Sequence, residues 1–178
     1  MTPAWELRPV ADDQWTIVAW LWQAFREDLA PVVHGFPYAD GRYRHDRLAA
    51  YPAADRCGYL AWAPHPVTGE DAPIAFALVK GLGGERQALA ELFVVPAARR
   101  GGLGRAIVRD VVGRHPGAWE VAFQHDNHPA AAFWRMTARE LWGEDWTEAA
   151  EPVPGRPDVA PDHWIRHPRR LGSPQTEG

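Results

Sequence analysis

The sequence predicts one α/β domain, and three observations carry the prediction. Three apolar, β-compatible runs at 58–62, 74–80 and 88–95 are separated by turn residues. A glycine loop joins the last of these runs to an amphipathic helical pattern. A further strand–helix pair then follows between 119 and 142.

Leu7 and Val10, with polar neighbours, read as a short first strand, and Asp12 or Asp13 offers an N-cap for a helix running to about residue 30. Ile17, Leu21, Ala24 and Leu29 approximate its apolar stripe, Trp15, Trp20, Trp22 and Phe25 add aromatic bulk, and Pro31 is expected to end it. The segment 32–51 is polar and aromatic; Gly35-Phe36-Pro37 interrupts regular structure, and 43–50 reads as a short second helix. The runs 58–62 and 74–80, linked by a hairpin connection at 66–71, and the run 88–95, reached through Gly81-Leu82-Gly83-Gly84, form an antiparallel meander. Pro96 stops its third strand, and Ala106, Ile107, Val111 and Val112 mark the inner face of the next helix. A strand at 119–123 leads to a helix with Pro129 in its first turn and Gly143 at its end. Short strands are expected at 146–150 and 163–166, joined by a proline-rich connection at 152–161. Residues 1–167 thus read as a single domain and 168–178 as a frayed tail.

Composition narrows the class of function. A chain of 178 residues can bury about two thirds of its unfolded surface without disulfides or metals. Its formal net charge of -4 gives no electrostatic reason for a general nucleic-acid or anionic-membrane binder. Cys57 is alone, so neither a disulfide framework nor a Cys-based zinc cluster is expected, and a reducing cytoplasm fits. No basic start precedes an apolar run, and no stretch approaches the ~20 apolar residues that span a bilayer. Lys80 is the only lysine, which reads as a coding bias toward arginine. His163-Trp164-Ile165-Arg166-His167 lacks the companion ligands of a metal site, so no metal is expected.

The chemistry concentrates in Arg99-Arg100-Gly101-Gly102-Leu103-Gly104. A pyrophosphate needs convergent donors, which the free N–H groups of a helix's first turn supply together with the positive end of the helix dipole. Glycines permit close backbone approach and positive φ, and Arg99, Arg100 and Arg105 add charge around the same point. A P-loop would need Lys-Ser or Lys-Thr after its final glycine, where Arg105-Ala106 stands. A dinucleotide-binding loop would follow the first strand of a βαβ unit rather than an antiparallel meander.

In this context the chain resembles the GNAT superfamily of N-acetyltransferases over nearly its whole length. The family's Arg/Gln-x-x-Gly-x-Gly/Ala motif matches Arg99 to Gly104 position by position. Asn127-His128-Pro129-Ala130-Ala131-Ala132-Phe133-Trp134 is similar to the family's Asn-x-x-Ala segment before an aromatic pair. The run Pro116-Gly117-Ala118-Trp119-Glu120-Val121, followed by Asn127 and Phe133-Trp134, resembles a less-studied branch with no established substrate. The resemblance implies a mixed, mostly antiparallel, splayed sheet of six or seven strands with about four helices, and acetyl-CoA as cofactor. It also implies that the loop with Leu103 and Arg105 holds the pyrophosphate. Backbone groups of Phe93 and Val94 would hold the pantetheine arm and thioester carbonyl, with further contacts from Asn127, Phe133 and Trp134.

The expected reaction is transfer of an acetyl group to a primary amine of a small molecule in a ternary complex. A protein or peptide acceptor is the alternative, and so is a CoA-binding protein without turnover. Two positions depart from the better-known family pattern. Trp134 stands where many relatives carry a tyrosine acid, and an indole N–H is no useful acid; Ala88 stands where some carry a catalytic glutamate. Glu91 is the substitute base, or else a solvated strand carboxylate beside Arg86. His125 and Asn127 are the other catalytic candidates, with a capping role open for Asp126. For the acceptor, the family's site location points to His34, Phe36, Tyr38, Asp40, Tyr43 and Tyr51, which either form an aromatic pocket with an acidic spot or pack a long loop onto the sheet. Trp15, Trp20 and Trp22 read as core or homodimer-interface residues.

Overall fold

The computed structural model describes residues 5–168. Seven strands form one sheet: β1 (Glu6–Pro9), β2 (Arg56–Pro64), β3 (Asp71–Lys80), β4 (Gln87–Val94), β5 (Trp119–Gln124), β6 (Thr147–Glu151) and β7 (Asp162–His167). Their spatial order is β1-β2-β3-β4-β5-β7-β6, and every neighbouring pair is antiparallel except β4–β5. Three α-helices cover it: α1 (Trp15–Val33), α2 (Leu103–Arg114) and α3 (His128–Trp142). The short helix expected over 43–50 is a 3₁₀ segment at Asp46–Ala50, so among the described residues the α-helices number three rather than about four. Beyond Pro168, the expected tail lies outside the described residues.

The alternation of side chains along the strands sends two sets of residues to opposite faces. On one face Tyr59, Ala61, Ala77, Val79 and Leu89 pack under Ile107, Val108 and Val111 of α2. On the other, Leu60, Phe76, Leu78 and Phe93 pack against Val18 and Trp22 of α1. Trp15 and Trp22 are thus core residues, while Trp20 is 71% exposed. Gly58 lies beneath α1's first turn, where an added Cβ would come within 2.7 Å of the Trp15 ring and 3.2 Å of Leu78. Gly58→Ala should therefore destabilise the fold by about 1–3 kcal/mol, as overpacking typically does, read as a lowered thermal midpoint.

Pro31 does not end α1. The helix continues to Val33 and closes on His34 in the left-handed region (φ 50°), whose N–H bonds to the Ala30 carbonyl. A proline in the last turn costs one backbone bond and leaves the rest of the helix intact. The segment after α1 is tied back to it: the Tyr43 N–H donates to Gln23 Oε1 at 2.7 Å, Gln23 Nε2 donates to the Tyr43 carbonyl at 3.0 Å, and Trp22 Nε1 donates to the Arg44 carbonyl at 2.8 Å.

Two irregularities in β4 shape the centre of the sheet. Leu78 faces Glu91 while Val79 faces Leu89, so Ala90 is an extra, bulged residue. Without it Leu89 and Glu91, two apart, would share the α2 face; with it Glu91 crosses to the α1 face. The parallel pairing of β4 with β5 covers only Gln87–Trp119 and Ala88–Glu120, after which the two strands part. Buried Gln87 anchors the paired end, its Nε2 donating to the His115 carbonyl at 3.1 Å and the Pro116 carbonyl at 3.3 Å.

Candidate active site

Bulge and splay together open the sheet between α1, α3 and the β6–β7 connection. A small cavity of about 100 Å3 lies in the wedge between β4 and β5, lined by Leu92, Phe123, Asn127 and Trp134 among others. A larger cavity of about 620 Å3 extends from it between the C-terminal part of α1 and the β6–β7 connection. A third, of about 350 Å3, lies beside Trp22, Tyr51 and Lys80. Glu91 and Ala90 line all three.

Glu91 is not the solvated carboxylate beside Arg86. Arg86 pairs with Glu120 at 3.6 Å, whereas Glu91 is paired with Arg47 at 3.2 Å and its side chain is only 17% exposed. Burial raises its carboxyl above the ordinary glutamate range and outweighs the opposing pull of Arg47, Arg26 and Lys80. Nearby Tyr51 is pushed up to about 12 by burial and stays a neutral phenol. Cys57 packs with the core on the α2 face, and burial raises its thiol, which disfavours the nucleophilic thiolate.

On the opposite wall His125 closes a hydrogen-bonded chain. Its Nδ1 lies 2.9 Å from His163 Nε2, His163 Nδ1 lies 2.8 Å from Glu148 Oε1, and Glu148 accepts two bonds from Arg135 at 2.8 and 2.7 Å. Arg135 and His163 hold the Glu148 carboxyl below its usual range, so it only accepts. A neutral His163 therefore carries its hydrogen on Nδ1 and accepts at Nε2. His125 then donates from Nδ1 and keeps the lone pair on its own Nε2.

Asn127, rather than Asp126, caps α3: its Oδ1 accepts from the Ala130 N–H at 3.2 Å and its Nδ2 donates to Gln124 Oε1 at 3.1 Å. With oxygen and nitrogen both engaged, its side chain is a cap first.

The glycine loop stands between β4 and α2. Arg100 (φ 67°) and Gly102 (φ 81°) both adopt the left-handed region, which turns the chain so that α2 starts with no side-chain cap on its N-terminus. An added Cβ at Gly101 would meet nothing within 4 Å, and at Gly102 only the Arg105 guanidinium at 3.7 Å. Gly104 is needed for another reason, since a Cβ there would come within 3.2 Å of the Phe133 ring, where α2 meets α3. The three arginines differ in their engagements. Arg99 donates to the Val94 carbonyl at 2.8 Å, forms a bidentate pair with Asp28 and lies over Phe93. Arg105 is paired with Glu140 of α3. Of the three, Arg100 alone has no ion pair among the described residues. An uncapped twelve-residue helix start, with open glycines and a free arginine, suits a pyrophosphate.

A family model for the acetyltransferase (GNAT) family matches residues 15–137, more than half of the chain. The chain belongs to the GNAT acetyltransferase family. It is accordingly an acyltransferase, and its cofactor is the family's acetyl-CoA. The uncapped helix start and the open faces of Gly101 and Gly102 fit that group.

Solved structures share the fold. A crystal structure of Arabidopsis thaliana NAA60 with a bisubstrate analogue superimposes with a TM-score of 0.63 at 13% identity, covering 92% of this chain and 98% of that one. The ribosomal-protein-S18-alanine N-acetyltransferase from Escherichia coli gives 0.61 at 14% identity, covering 97% and 98%. An acetyltransferase from Thermus thermophilus gives 0.63 at 18%, covering 94% and 98%. No curated protein matches the chain.

Of the remaining GNAT acceptor candidates, His34 lines the large cavity, whereas Phe36 and Tyr38 are 85% and 51% exposed and line none of the three. Tyr43 is buried, its hydroxyl donating to Glu27 at 2.7 Å, and Asp40 is paired with Arg42. Tyr51 lines the third cavity and His34 the large one, so the six do not come together in one aromatic, acidic pocket. Charged groups on other elements, Arg26, Arg47 and Lys80, line the cavity instead. Among the described residues no cluster of His, Cys, Asp and Glu could hold a metal ion, and no helix is long and apolar enough to cross a membrane.

Proposed function

We propose that this chain transfers an acetyl group from acetyl-CoA to the primary amine of a small molecule, with Glu91 as the general base. The observation that carries this reading is the position of Glu91: a largely buried carboxylate of raised pKa at the point where three cavities meet beside the β4–β5 wedge.

Acetyl-CoA supplies an acetyl thioester. The N–H groups at the start of α2, with Arg100, would hold its pyrophosphate, and Phe93 and Val94 would direct the arm into the wedge, with Trp134 along its wall and Phe133 behind Gly104. Because Arg99 already occupies the Val94 carbonyl, that group serves to fix the loop. An amine entering the large cavity arrives protonated and must lose a proton before it can attack. Glu91 accepts it, directly or through one water; the nitrogen's second proton, lost as the new N–C bond replaces the C–S bond, balances the departing thiolate, which leaves as the free thiol. His125, with its lone pair free on Nε2, is a second acceptor on the facing wall.

The shape of the cavity supports a small acceptor. Val153, Arg156, Val159 and Ala160 of the β6–β7 connection wall it opposite α1, where an extended peptide would need an open groove. The test is thiol release from acetyl-CoA across a panel of small amines and N-terminal peptides, with CoA binding followed in parallel by calorimetry. Turnover of a small amine but of no peptide is expected. Tight CoA binding without turnover of any acceptor would favour a CoA-binding protein instead.

A further inference from the structure

The chain is acidic overall, and among the described residues thirteen of seventeen Lys and Arg side chains are matched. Arg8, Arg42, Arg44, Arg47, Arg56, Arg86 and Arg99 each lie within ion-pair distance of a carboxylate. So do Arg105, Arg109, Arg114, Arg135, Arg156 and Arg166. Among the described residues only Arg26, Lys80, Arg100 and Arg139 have no such partner. Arg139 sits in the last turn of α3, where the helix dipole favours a cation, and Arg100 stands at the glycine loop. Arg26 and Lys80 remain, and both line the large cavity.

Neither is explained by the fold around it. Arg26 is half-buried on α1, and the acids that follow it have other engagements: Glu27 accepts from Tyr43 and Asp28 pairs with Arg99. Lys80, the chain's only lysine, ends β3 beside Glu91. With Arg47 they place three cations around one carboxylate. Each favours the ionised Glu91, although burial outweighs them, and neither Arg26 nor Lys80 is within ion-pair distance of it as Arg47 is.

The facing wall has the opposite sign. Asp126 and Asp162 line it, while on the α1 side the helix's C-terminal end at Val32, Val33 and His34 adds carbonyls at the negative end of the helix dipole. The cavity therefore has a cationic pole and an anionic one.

We infer that the acceptor is a zwitterionic amino-carboxylate, its carboxylate received by Arg26 and Lys80 while its amine is presented to Glu91. This rests on the transferase reading above. A monoanion matches two free cations, whereas a phosphate dianion would meet the negative end of α1 in the same cavity.

The test pairs leucine, phenylalanine, glutamate and 4-aminobutyrate with their amides, adding 2-aminoethyl phosphate, and measures both binding to the CoA-saturated protein and acetylation from acetyl-CoA. At least one acid should bind, and react, about tenfold or more better than its amide. That preference should fall to within about threefold in Arg26→Gln/Lys80→Met, at unchanged affinity for acetyl-CoA, and return in Arg26→Lys with Lys80 intact. Acids binding no better than amides, a preference surviving in the double variant, or a stronger preference for the phosphate would overturn the inference. Acid binding that depends on Arg26 and Lys80, but with no thiol released, would sink the transferase reading and leave the anion site standing.

Discussion

Gly101→Glu should abolish measurable acetyl-CoA binding while leaving the thermal midpoint within a few degrees of the parent. The substitution is structurally mild: an added Cβ at Gly101 meets no atom within 4 Å, and Gly101, unlike Gly102, does not occupy the left-handed region. It nevertheless places a carboxylate beside the uncapped start of α2, where the cofactor's pyrophosphate would stand. Replacing attraction to the helix dipole by charge repulsion and bulk should weaken binding at least about 100-fold, or roughly 3 kcal/mol. Gly102→Glu is a less clean probe, because its φ of 81° would add backbone strain to the same electrostatic effect. Calorimetry with CoA and a melting curve on the same samples separate the two. Undiminished affinity in Gly101→Glu would refute the loop assignment.

The parts of this fold that were legible in the sequence are those set by local chemistry. The meander declared itself in apolar runs bounded by turn residues, and α2 in the spacing of Ile107 and Val111 behind a glycine loop. Pro31 misled because a proline's cost depends on where it falls; in a last turn it removes one bond and the helix runs on. The site was harder to read. Strict alternation would put Glu91 on the same face as Leu89, and only the bulge at Ala90, a feature of strand pairing, moves it under α1. Arg26, Arg47 and Lys80 come from three separate elements, so no spacing could have joined them. A single lysine in an arginine-rich chain was a visible signal, but composition alone does not say which cavity it faces. His163 and Glu148 were equally hidden: the pairing of β6 with β7, and of β7 with β5, is what brings them to His125.

Glu91→Gln is expected to lower turnover by about 100-fold, within the range attributed to general-base catalysis, with little change in acetyl-CoA affinity. The amide keeps the shape and cannot take the amine's proton. In the parent, kcat/KM should rise with pH through an apparent value above the ordinary glutamate range, because burial holds the Glu91 carboxyl up and only its ionised form is a base. That limb should disappear in the variant; an unchanged pH–rate profile would remove Glu91 as the base. Stability should move the other way. A carboxyl whose folded pKa lies above its unfolded value binds the proton more tightly in the folded protein, so stability from this group falls as pH rises from the unfolded pKa through the folded one. At neutral pH the ionised carboxylate is then a cost that glutamine removes. The lost pair with Arg47, whose side chain is 77% exposed, should offset less than about 1 kcal/mol of that gain. Glu91→Gln should thus melt higher than the parent at pH 7, with the difference shrinking as pH is lowered. A purely structural carboxylate, held in place by Arg47, would give the reverse: a variant less stable at neutral pH with its turnover intact.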